Sequence, residues 1–259
     1  MAKERFILLS FDVEEFDMPL EYNHHIDLAE QLKVGDAGMQ KILPVINTGK
    51  TPCTLFTTAT YAIHFPEQIK ALAINHEIAS HTYYHSDFSN EHLLQSKLKL
   101  EEISGKPVTG LRMPRMRKVD MSEVKKAGYE YDSSINPTYL PGRYNNLHLP
   151  RTLYKEEGIV RLPASVSPQR ISLFWLSFKN FPYAVFKMLT QQTLKKDGYV
   201  CLYFHPWEFT DIEQYGLPAY TRKDCKEILL NKLNRLITDL SKEGEFITIN
   251  SFIKQKAPL

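Results

Sequence analysis

At 259 residues, with 32 Lys and Arg against 30 Asp and Glu, the chain is near charge balance, and nothing global argues for nucleic acid. A hydrophobic fraction of 43% is ample for a core, at a length where one large α/β domain or two small ones are common. Three cysteines (Cys53, Cys201 and Cys225) are an odd number without a close pair, which argues against a disulfide framework and for a reducing compartment.

The charged start Met1-Ala2-Lys3-Glu4-Arg5 runs into an apolar stretch too short for a secretory signal, and no run reaches the length of a membrane span. A cytoplasmic protein is expected. Phe6-Ile7-Leu8-Leu9 reads as a strand covered on both faces. It stops in the acidic segment Ser10-Phe11-Asp12-Val13-Glu14-Glu15. Residues 36–48 carry Met39, Ile42, Leu43 and Ile46 at helical spacing and predict a crossover helix. The turn Gly49-Lys50-Thr51-Pro52 precedes a second buried strand over 53–57. A helix over about 65–73 leads to a strand ending in Glu77-Ile78-Ala79-Ser80-His81-Thr82-Tyr83-Tyr84-His85, whose two histidines, four apart, are read as one turn of helix with both imidazoles on one side.

The alternation continues with a helix over 93–103, a strand over 108–112, a helix over 121–127 closed by Gly128, and a strand over 129–132. Residues 138–170 are interrupted by proline and glycine, with a hairpin expected around Gly158. Residues 171–194 read as helical on either side of Pro182. A buried strand over 199–204 ends at His205-Pro206-Trp207-Glu208. A helix over about 222–240 carries Leu229, Leu233, Leu236, Ile237 and Leu240 on one stripe, and 246–249 is the expected last strand. Strand and helix in alternation predict an α/β fold with a parallel sheet.

In such folds chemistry gathers at the carboxyl ends of the strands. There stand Asp12 and Glu14, His81 and His85, Arg112, Asp132 and His205. Each alone has an ordinary explanation: a cap, a surface pair, a structural ion pair, an Asx turn or a core histidine. Five strands that each end in an ionisable group are harder to explain one at a time. Two histidines do not make a catalytic metal site, which takes three protein ligands and an open position.

Five segments in order carry a family resemblance: Ser10-Phe11-Asp12-Val13-Glu14, His81-Thr82-Tyr83-Tyr84-His85, Leu111-Arg112-Met113-Pro114, Tyr131-Asp132-Ser133-Ser134 and Leu202-Tyr203-Phe204-His205. Over roughly residues 5–253 the chain resembles the polysaccharide deacetylase family, carbohydrate esterase family 4. The resemblance implies a distorted (β/α) barrel, a single catalytic domain over 1–259, and a divalent metal held by two His and one acid. Zinc is expected, with cobalt, iron or nickel also fitting such a donor set. His81 and His85 would be ligands. The family's first motif has two adjacent Asp; here Val13 takes the second place and cannot bind metal. Glu14 shares a strand face with Asp12, so Glu14 is assigned as ligand and Asp12 as base. The reverse assignment stays open, as does a weak or absent metal. Asn136 stands where many relatives have Trp, and Trp207 is a candidate to replace it.

The implied reaction removes an N-acetyl group from an amino sugar with metal-activated water. Asp12 would be base and His205 acid, with Arg112 paired to Asp12, Asp132 paired to His205, and a backbone N–H near Arg115 or Met116 on the oxyanion. For the substrate, the lack of an export signal favours a nucleotide-linked, lipid-linked or small amino sugar. Tyr22, His24 and His25 are candidates for its site, and Arg115, Arg117 and Lys118 for a phosphate, against a plain solvated turn. The aromatic run over 171–189 is apolar enough to lie against a membrane face, against the commoner explanation of a core helix or oligomer contact. A lipid-linked N-acetyl sugar is the preferred substrate. Two other classes stand beside it: a deformylase or amidase acting on a small or lipid-linked amide, and a non-catalytic glycan-binding relative.

Overall fold

The structure is a computed structural model and describes residues 4–256. Strand β1 (Phe6–Val13) is the hub. It pairs in parallel with β10 (Tyr199–Phe204) along one edge; β2 (Thr54–Thr57) takes the upper half of its other edge and β11 (Glu245–Phe246) the lower. Beyond β2 follow β3 (Glu77–Ser80), β4 (Gly110–Leu111), β5 (Tyr131–Asp132) and β9 (Ile159–Arg161), all parallel, then β8 (Tyr154–Glu156), antiparallel to β9 in the expected hairpin. A separate hairpin joins β6 (Tyr139–Leu140) to β7 (Tyr144–Asn145). The crossovers are α1 (Leu28–Ile46), α2 (Ala59–His64), α3 (Pro66–Leu72), α4 (Glu91–Ser104) and α5 (Met121–Lys126), then α6 (Trp175–Asn180), α7 (Tyr183–Asp197), α8 (Ala219–Arg222), α9 (Lys226–Leu240) and the terminal α10 (Ile249–Lys256).

The sheet curls into a distorted (β/α) barrel. Between β9 and β10 irregular chain replaces strand pairing: Ser165 donates its N–H to Cys201 O at 2.9 Å, and its hydroxyl accepts from Cys201 N at 2.8 Å. Strand periodicity sorts the side chains. On β1, Ile7, Leu9, Phe11 and Val13 face outward into the layer formed with Met39, Ile42, Leu93, Phe186 and Leu233 of the surrounding helices. Phe6 and Leu8 face inward, with Phe56, Ala79, Tyr131, Tyr199 and Cys201. Phe252 and Ile253 of α10 join this inner cluster and cover its lower end. Higher up, the same inward parity on β1 reaches Ser10, then Asp12, then Glu14, so the barrel is apolar at its floor and polar at its mouth.

Two expectations change. Helix α1 begins at Leu28, not near residue 36; Asp27 caps it by accepting from Glu30 N at 2.9 Å. Gly35 and Gly38 on this helix serve close approach: a Cβ on Gly38 would lie 2.1 Å from Pro206 O. The last strand stops at Phe246, because the Thr248 hydroxyl accepts from Ser251 N at 3.2 Å and starts α10. The aromatic run over 171–189 folds into α6 and α7 with Phe174, Trp175, Phe178, Phe186 and Leu189 buried, as the core explanation required. No helix among the described residues is long and apolar enough to cross a membrane.

Candidate active site

Residues 81–86 form no helix, contrary to the spacing argument: Thr82 takes a left-handed φ of 65°, and the loop folds so that the two rings stack with centroids 5.5 Å apart. Each ring is oriented from behind. His81 Nδ1 lies 2.7 Å from the carbonyl oxygen of Arg112, and His85 Nδ1 lies 2.7 Å from Asp17 Oδ1. Both partners are acceptors, so each Nδ1 carries the hydrogen and each Nε2 presents a lone pair. Both Nε2 atoms point at one oxygen, Glu14 Oε2, at 3.0 Å each. That oxygen is buried without a hydrogen-bond donor among the described residues. Three donors aimed at one another across so small a gap require a positive charge between them. With no metal there, burial opposes a charge on His85, but Glu14 and Asp17 raise its pKa to about 10. Burial likewise opposes the Glu14 carboxylate, yet His85 and His81 hold its pKa well below the ordinary value. Glu14, His81 and His85 together form a group able to hold a metal ion, and rings backed by a carbonyl and a carboxylate match the usual support of metal-bound histidine.

The neighbouring wall carries Asp12. Arg112, fully buried, donates Nη1–H to Asp12 Oδ1 at 2.6 Å and to Ser10 Oγ at 3.0 Å. It is fixed further by Ser133 O at 3.2 Å and by the face of Phe56, 4.0 Å away. His205 Nε2 lies 3.9 Å from Asp12 Oδ2. Its Nδ1 faces Glu208 Oε1 at 3.1 Å, and the same oxygen accepts from the His205 backbone N–H at 2.8 Å. Burial works against a charged His205 ring; Glu208, Glu14 and Asp12 outweigh it and raise the pKa.

The expected partner of His205, Asp132, does not reach it. Tyr131 points into the barrel, so its neighbour on β5 points out. There Asp132 meets Arg161 Nε at 3.0 Å and the N–H and hydroxyl of Ser134. Its burial pushes the carboxyl pKa up, against Arg161. The spacing of Glu208, three residues after His205, is that of a capping box and was the available signal. Asp17 had no such signal, since it meets His85 across 68 residues.

A cavity of about 400 Å³ opens over these groups, walled by Tyr22, Tyr144, Trp175, Trp207 and Tyr220 and rimmed by Glu21, Arg115 and Arg143. Trp207 also donates Nε1–H to Glu14 Oε1 at 3.1 Å. Asn136 is buried outside this lining, accepting from Ser172 Oγ at 3.0 Å. Of the sugar-site candidates Tyr22 lines the cavity, whereas His24 packs edge-on to Tyr215 and His25 is exposed. Arg115 pairs with Asp17 and Glu21; Arg117 and Lys118 line an adjoining cavity. The Met116 N–H is spent on Met113 O at 3.1 Å and does not serve an oxyanion.

No curated protein matches the chain. A protein from Mycobacterium smegmatis described as a polysaccharide deacetylase superposes with a TM-score of 0.65 at 19% identity, over 98% of this chain and 91% of that one. Puue allantoinase gives 0.67 at 15% identity, over 100% and 93%. Bacillus subtilis PdaA, a family 4 carbohydrate esterase, gives 0.53 at 18%, over 99% and 83%. One fold thus carries differently named enzymes, as is common. The family model for polysaccharide deacetylases matches residues 2–131, half of the chain and the half that supplies Asp12, Glu14, His81, His85 and Arg112. The chain belongs to the polysaccharide deacetylase family.

Proposed function

We propose that this cleft, in one catalytic domain spanning the chain, removes the N-acetyl group of an amino sugar with a divalent ion held by Glu14, His81 and His85. The observation that carries this reading is the convergence of two Nε2 lone pairs and one undonated carboxylate oxygen beside a second carboxylate and a third imidazole. A bound ion, zinc by the mixed nitrogen and oxygen donors, supplies charge that polarises an amide carbonyl and acidifies water. Asp12 takes the proton of the attacking water, and Arg112 fixes which of its oxygens faces the cleft. His205, turned by Glu208 so that Nε2 faces the cavity, gives its proton to the departing nitrogen, which an amide needs more than an ester does. Tyr22, Tyr144, Trp175 and Tyr220 offer faces on which a sugar ring can stack.

Metal analysis of the dialysed protein, with acetate release from free and lipid-linked N-acetyl amino sugars, tests the proposal. His81→Ala should lose the metal, and His205→Ala should keep it while the rate falls roughly 10²- to 10⁴-fold. Equal metal loss in both variants overturns the division of roles. Turnover confined to formyl or small non-sugar amides replaces the substrate class, and sugar binding without turnover makes the chain a binding protein.

A further inference from the structure

On the reading that His205 is the acid, we infer that Lys179 is a positioning residue for it, acting through Glu208. Lys179 lies on α6, fully buried, as lysine almost never is unless paired. Its Nζ donates to Thr221 O at 2.8 Å and to Cys225 Sγ at 3.3 Å, and stands 3.5 Å from Glu208 Oε2. The last distance is an ion pair without hydrogen-bond geometry, and Glu208 Oε2 has no other donor among the described residues. The other oxygen of the same carboxylate holds both the backbone N–H and the Nδ1 of His205. The ammonium also lies 5.6 Å from the ring centroid of Trp175 and 5.9 Å from that of Trp207. Those are the two rings between which the His205 imidazole is held, stacked on Trp207 at 4.8 Å and edge-on to Trp175 at 5.2 Å.

One buried cation therefore stands beside the carboxylate that holds Nδ1 of His205 and beside two of the rings that flank its imidazole. A merely space-filling residue would be apolar, since burying an ion pair seldom gains stability over a hydrophobic replacement. Lys179 balances the Glu208 charge. Without it the Glu208 Oε2 oxygen is buried with no cation beside it, the carboxylate is no longer held in place, and its grip on the His205 Nδ1–H loosens. The ring is then free to turn Nε2 away from the cleft.

The test compares Lys179→Met, Glu208→Gln and the double variant. For Lys179→Met the expected result is an N-deacetylation rate about 10- to 100-fold lower in kcat, with little change in KM or metal content. Hydrolysis of p-nitrophenyl acetate, whose leaving group needs no proton, should fall less than about threefold. In ¹⁵N spectra of histidine-labelled protein, the His205 ring signals, identified by their loss in His205→Ala, should show a protonated Nδ1 in the native chain and change in Lys179→Met. Amide and ester rates falling together in a folded variant, or unchanged His205 signals, overturn the inference. Should Lys179→Met fail to fold, the double variant, which removes both charges, is compared with Glu208→Gln. Matching amide-to-ester ratios support the relay, and a further tenfold loss overturns it. If the native chain cleaves no amide, changed His205 signals still support the lysine's role while the hydrolase reading fails.

Discussion

Asp12, on the inner face of β1, and Glu14, just past its end, share the inward parity, yet their surroundings differ in kind. Asp12 meets a guanidinium that satisfies it directly. Glu14 meets two histidines whose hydrogens are turned the other way. The first arrangement positions a base, and the second calls for a cation. Glu14→Gln is therefore expected to strip the metal, measured after dialysis, while Asp12→Asn retains it and loses roughly 10²-fold or more in rate. The opposite pattern would make Asp12 the ligand. The choice between these acids is beyond local sequence, because both have the right parity. It depends on where the loop 81–86 delivers its rings.

At the scale of elements, the glycine face of α1 lets the segment carrying His205, Trp207 and Glu208 lie directly on the helix. A Cβ at Gly38 would meet backbone at Pro206, which cannot move aside as a side chain would. Gly38→Ala should cost about 1–3 kcal/mol of stability, seen as a lower urea midpoint, and should weaken catalysis by displacing His205. The turn from α3 into β3 holds another device. His76 is buried and neutral, its Nδ1 accepting from Cys53 N at 3.2 Å, and burial lowers its pKa from 6.5 to about 4. The unfolded chain takes up a proton at the higher value and the folded chain only at the lower. Stability is therefore lost as pH falls through that window, by at most roughly 3 kcal/mol. Denaturant titrations at pH 7 and pH 4 should show a smaller loss in His76→Asn than in the native chain.

Across the whole molecule, segments far apart in sequence bring Asp12, Glu14, Asp17 and Glu21 and three histidines to one mouth, where Arg112 and Arg115 offset part of the charge. An ion bound to the folded state alone adds about 2.7 kcal/mol at a hundredfold excess over its dissociation constant. For a chain of this size that predicts a rise in melting temperature of about 5–10 °C with zinc over chelator. The rise should vanish in His81→Ala, and a rise that persists there places the ion elsewhere.

Residue order alone was enough for the alternation of buried strands and helices and for placing Asp12, Glu14, His81, His85, Arg112 and His205 at strand ends, while the barrel class followed from the resemblance of five motifs to a known family. Those signals are local: apolar runs, strand parity and ionisable residues at strand ends. Asp17, Glu208, the true surroundings of Asp132 and the buried Lys179 came only with the folded chain. Asp132 was assigned by its place at a strand end, but one step of alternation turns it outward to Arg161. Glu208 was free to take its place because Gly38 lets the loop after β10 settle on α1. Which polar groups meet is decided by packing across the barrel, and packing brings together residues that no spacing along the chain connects.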